Sequence, residues 1–144
     1  MTRNEIIVGL DDSPSGKAAL SWAARQAALA DSMLRAIHVL DWPYGVATDP
    51  EANASQPSHE EIDDSYRSSI TAVFKQASPK PDWQLEFARG DGGPVLVRES
   101  KDAQLLVVGT REHVGLGRLL VGSISHYCLT HATCPVVAVP AETS

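Results

Sequence analysis

The chain has 144 residues, 43% of them hydrophobic and 21% charged, with a net charge of −6. That size suits one domain, residues 1–144, with a sizeable core. The acidic balance argues against nucleic acid or an anionic membrane as partner, and no apolar run approaches the roughly 18–20 residues needed to span a bilayer.

The segment MTRNEIIVGL is charged and runs directly into strand-like sequence, unlike a secretory signal, so a cytoplasmic location is expected. Residues 5–10 (EIIVGL) form a nearly continuous apolar run, as a strand buried on both faces should. Ser13 and Pro14 follow, a good N-cap and a good first helical residue. Leu20, Ala23, Ala24 and Ala27 then recur on one helical face. A second strand is expected at 34–40 and a loop at 41–57, where Pro43, Gly45, Pro50 and Pro57 break any period. Ser58 and Glu61 have capping-box spacing. Ile62, Tyr66, Ile70, Val73 and Phe74 continue at helical spacing until Pro79 and Pro81.

Trp83, Leu85 and Phe87 alternate with Gln84 and Glu86, which predicts a strand with one wet face at a sheet edge. A short helix is expected over 94–101 after the turn Gly90–Pro94, and a buried strand at 104–109. A glycine-rich loop follows at 110–121, then a helix at 123–131 and a last strand at 135–139. Strict alternation of strand and helix implies one parallel sheet with helices on both faces.

In such sheets ligands sit beyond the C-terminal strand ends, where helix N-termini offer backbone N–H groups to an anion. Two loops there carry suitable residues: Leu10–Ser13 and Gly109–Ser123. Gly117-x4-Gly122-Ser123 has P-loop glycine spacing, but lacks the lysine and a strand directly before it, so a Walker A site is rejected. No GxGxxG follows a strand either. His38, His59, His113, His126 and His131 show no metal or nucleophile spacing and are expected in packing or surface roles. Cys128 and Cys134 form no CxxC pair and are expected as small buried hydrophobes.

The segments IIVGLDDSPSGKAALSWAARQA and LLVVGTREHVGLGRLLVGSISHYCLTHATCPVVAVP resemble the universal stress protein family. Members that bind ATP carry G-x-x-G, nine residues, then G-S or G-T; here the positions are Gly109, Glu112 in place of the second glycine, and Gly122-Ser123. The resemblance implies a five-stranded parallel sheet of order 3-2-1-4-5, the adenine nucleotide alpha hydrolase-like fold. It implies an adenine-nucleotide (ATP or AMP) binding module in stress response, with Asp11 holding the ribose and Val39 lying against the adenine. Gly109 would approach the ribose and α-phosphate, and Gly122 and Ser123 would give N–H and hydroxyl groups to the outer phosphates. Glu112 would stand beside the phosphates, where Mg²⁺ could bridge it to them. A homodimer through the strand Pro135–Val139 is also implied. The alternative reading of Asp11 is a turn residue, and Ser123 serves as a helix cap with or without a ligand. No hydrolytic base is identifiable, so catalysis is not expected beyond weak ATP hydrolysis. The alternative is a dimeric interaction protein of the same family that binds no nucleotide.

Overall fold

The computed structural model describes residues 2–40, 59–110 and 122–142, the side chains of 59–63 excepted. The expected loop at 41–57, the capping residue Ser58, Glu112 and Gly117 lie outside the described residues. The elements are β1 (Arg3–Gly9), α1 (Pro14–Ala30), β2 (Met33–Leu40), α2 (His59–Gln76), β3 (Gln84–Arg89), α3 (Gly92–Glu99), β4 (Ala103–Gly109), α4 (Ser123–His131) and β5 (Val136–Val139).

The strands form one sheet of order β3-β2-β1-β4-β5, and each adjacent pair is parallel. The expected order is observed, with the alternating strand at one edge. The central strands are apolar on both sides. Ile6, Val8, Leu34, Ala36 and Val107 face α1 and α2, where Leu20, Ala23, Ala27, Ile70, Val73 and Phe74 complete one core layer. Ile7, Ile37, Leu106 and Val108 face the other way, against Leu96 of α3 and Cys128 of α4.

Ser13 caps α1 as expected: its hydroxyl accepts from the Gly16 amide, and Pro14 opens the helix. Asp31 ends it in the left-handed region (φ 51°). Three expectations are corrected. Tyr66, placed by its spacing on the inner face of α2, is 49% exposed, and among the described side chains of that helix burial begins at Ile70. α3 begins at Gly92, earlier than the expected 94, with Asp91 as N-cap. Gly92 and Gly93 are helix-packing residues there, since a Cβ on either would stand 2.7 Å from Ile124 or 2.8 Å from the Tyr127 ring. Cys128 is buried as expected, but Cys134 is only half-buried.

One charged cluster interrupts the apolar layer. Arg35 of β2 donates to Glu86 Oε2 (3.0 Å), Glu5 Oε1 (3.1 Å) and the Glu99 carbonyl (3.1 Å). Burial works against the charged guanidinium, but bonds and charge from Glu86 and Glu5 outweigh it and hold its pKa above the ordinary value.

Candidate functional site

The chain adds β2 and β3 on one side of β1 and then crosses to place β4 on the other. This reversal splays the connections that leave β1 and β4 and opens a crevice at their C-terminal ends. The residues that reach it are Leu10–Ser13 from β1 and Gly109–Thr110 from β4, with Gly122–Ser123 returning at the head of α4.

Asp11 is fixed by the turn that starts α1. Its Oδ1 accepts from the Ser13 amide (2.9 Å) and from the Ser13 hydroxyl. The same hydroxyl accepts from the Gly16 amide at 3.0 Å, so amide, hydroxyl and carboxylate form one directed chain. A Cβ at Gly16 would overlap Asp11 Oδ1. The Asp11 carboxylate thus sits against the N-terminal turn of a helix, where negative charge is favoured.

Gly109 packs directly on α1: a Cβ there would stand 2.6 Å from the Ser15 carbonyl carbon and 2.7 Å from its hydroxyl. Any side chain would push β4 and α1 apart, so backbone lines the crevice at this point. Val39 is half-buried on the α3 and α4 side of the sheet and pairs with Ala88. The register Gly9–Ile37 sets Val39 level with the residues that follow β1.

At the head of α4 the structure refines the expectation. Gly122, rather than Ser123, is the N-cap, and among the described residues no side chain caps the helix. The Gly122 amide donates to the Thr110 carbonyl at 2.6 Å. The donors this helix end presents therefore begin at the exposed Ser123, in the first turn, where amides have no intrahelical acceptor. Asp11, Val39, Gly109, Gly122 and Ser123 all lie at the same end of the sheet. Glu112 lies outside the described residues.

Two features were not anticipated from sequence. Thr110 is 5% exposed, and its hydroxyl has no hydrogen-bond partner among the described residues. His38 places Nδ1 2.7 Å from the Leu10 carbonyl, immediately before Asp11. Their positions next to a strand end were the only available signal. Among the described residues no group of three or more His, Cys, Asp or Glu is arranged to hold a metal, and no helix is long and apolar enough to cross a membrane.

An open parallel sheet of order β3-β2-β1-β4-β5 with helices on both faces defines a doubly wound α/β protein. The chain belongs to the universal stress protein family, whose model matches residues 2–140. It is similar to universal stress protein Rv2623 of Mycobacterium tuberculosis, 39% identical over 152 residues, which cover 96% of this chain and 48% of that protein. A universal stress protein of Mycolicibacterium smegmatis is 34% identical over 145 residues, again covering 96% of this chain and 48% of that one. The chain thus spans about half the length of the curated relatives it matches.

Among solved structures, universal stress protein UspA from Lactobacillus plantarum superposes with a TM-score of 0.74 at 23% identity, covering 96% of this chain and 99% of that one. A universal stress protein in complex with cAMP gives 0.67 at 19% identity, covering 99% of this chain and 100% of that one. The universal stress protein from Archaeoglobus fulgidus in complex with dAMP gives 0.59 at 16%, covering 96% and 98%. These likenesses establish the fold.

Proposed function

We propose that the chain binds an adenine nucleotide in the crevice between the ends of β1 and β4. The observation that carries this reading is the convergence of a turn-fixed carboxylate at Asp11, a side-chain-free strand end at Gly109 and an exposed helix head at Ser123. Asp11 accepts from the ribose hydroxyls, since a carboxylate held by backbone is already oriented for a diol. Val39 offers its apolar surface to the adenine. Gly109 lets the ribose and α-phosphate approach the backbone. The Ser123 amide and hydroxyl donate to the outer phosphates at a helix N-terminus, while Gly122 contributes by lacking a side chain. That two neighbours of this fold were solved with cAMP and dAMP supports an adenine ligand.

ATP with Mg²⁺ is the fuller form of the proposal, Glu112 and the phosphates together making an oxygen-rich magnesium environment. The module works in the cytoplasm, in stress response, as a homodimer paired through the strand Pro135–Val139. The test is direct. The purified protein is denatured, and released small molecules are separated by chromatography and weighed. Titration calorimetry with AMP and ATP follows on the emptied protein. Adenine nucleotide in the supernatant, or saturable binding, supports the reading; neither one overturns it in favour of a dimeric interaction protein.

A further inference from the structure

His38 stands in the C-terminal half of β2, on the side of the sheet covered by α1 and α2. Its cross-strand neighbour Phe87 meets it edge to face, with ring centroids 6.0 Å apart and planes at 75°. The Arg67 guanidinium of α2 lies 4.7 Å from the centroid of the same Phe87 ring. The imidazole is thus clamped from one side by an aromatic and, through it, by a cation from α2.

On its other side Nδ1 is 2.7 Å from the Leu10 carbonyl oxygen. A carbonyl only accepts, so the imidazole donates from Nδ1, which sets its tautomer when neutral. Leu10 is 2% exposed, and its own amide donates to the Ile37 carbonyl at 2.9 Å. Two successive β2 residues, 37 and 38, therefore hold the two ends of one residue. The Leu10 carbonyl shares a rigid planar unit with the Asp11 amide and Cα. Whatever holds that carbonyl also fixes where Asp11 leaves the sheet.

We propose that His38 is a positioning residue for the crevice: its Nδ1–H anchors the Leu10–Asp11 peptide, and so places the Asp11 carboxylate for the ribose. The ribose role rests on the nucleotide reading above; the placement of Asp11 does not.

The test uses three variants. His38→Phe keeps a ring against Phe87 and deletes the donor. His38→Asn keeps an N–H close to where Nδ1 stood. His38→Gln carries its amide further out, near the place of Nε2, and serves as a second donor deletion should the phenylalanine variant fail to fold. AMP affinity is measured by titration calorimetry in the wild-type and Asp11→Ala backgrounds, and amide hydrogen exchange at Ser13 is followed without nucleotide. Loss of this one bond is expected to weaken AMP binding by about five- to tenfold. His38→Asn should recover to within about twofold, and in the Asp11→Ala background His38→Phe should change affinity by less than about twofold. Exchange at Ser13 should rise in the Phe and Gln variants and not in Asn. Equal weakening in both backgrounds, or no weakening in either, overturns the inference. If wild type binds no AMP, the nucleotide reading fails by itself, and unchanged Ser13 exchange then overturns the placement as well.

Discussion

The Asp11 carboxylate occupies the space where a Cβ on Gly16 would stand, so the two residues are mutually exclusive with any larger side chain at 16. In an ordinary helix, alanine for glycine gains about 0.5–1 kcal/mol. Here Gly16→Ala is expected to lose about 1–3 kcal/mol, as overpacking against a fixed group does. Urea denaturation checks the sign. Because Asp11→Ala clears the same space, the double variant should lose less than the sum of the two singles.

Burial pushes the Cys128 thiol up to about 11, from an ordinary value of 9.0. The folded state favours the neutral thiol, so this contribution to stability is complete below about pH 9 and is lost as pH climbs through about 11. Stability measured from pH 8 to 11 should fall less steeply in Cys128→Ala than in wild type. The thiolate is the reactive form, so Cys134 should be alkylated well before Cys128 in native protein, a sequence that timed quenching and peptide mass analysis can read. Equal rates would contradict the burial argument.

β5 is a short apolar strand bonded on one side to β4. Such an edge invites a second chain, and the proposed homodimer uses it. Val137→Asp should weaken self-association by placing an unpaired charge in the contact. Light scattering at micromolar concentration should report twice the chain mass for wild type and less for the variant. Because Val137 is also half-buried within its own chain, melting must be recorded alongside. A wild type that scatters as a single chain removes the dimer.

The proposed nucleotide site includes Glu112, at the second-glycine position of the G-x-x-G spacing. A carboxylate about 6 Å from a phosphate repels it by about 3 kcal/mol at an effective dielectric near 20. Glu112→Gly should therefore tighten ATP binding in chelator, and AMP binding by less. If Mg²⁺ joins the carboxylate to the phosphates, the same variant should bind ATP less tightly once the metal is added. Calorimetry with and without Mg²⁺ decides both.

Much of the fold was legible because burial writes itself into local pattern. Ile6, Ile7 and Val8 are contiguous because β1 is covered on both faces, and the alternation from Trp83 to Phe87 marked an edge. Glycines misled where their reason was tertiary. Gly92 and Gly93 read as a turn, yet they make room for α4. Ser123 read as a cap, yet the chain arrives one residue earlier, through the Gly122–Thr110 bond. His38 carried no signal beyond its place near a strand end, since the carbonyl it bonds lies 28 residues away. The same holds for Arg35, a lone charge in an apolar strand whose partners come from three other elements.

That last cluster has a kinetic consequence. The acceptors of Arg35 lie 30, 51 and 64 residues along the chain, in β1, β3 and the end of α3. The full set of bonds forms only when β1 and β3 are both aligned with β2 and the end of α3 has docked beside it. Contacts of such long sequence separation form late, after loop-closure entropy has been met. Arg35 is therefore a lock that engages near the end of assembly: removing it should leave the refolding rate almost intact and hasten unfolding. The lifetime of the native chain, more than the ease of reaching it, is what this guanidinium governs.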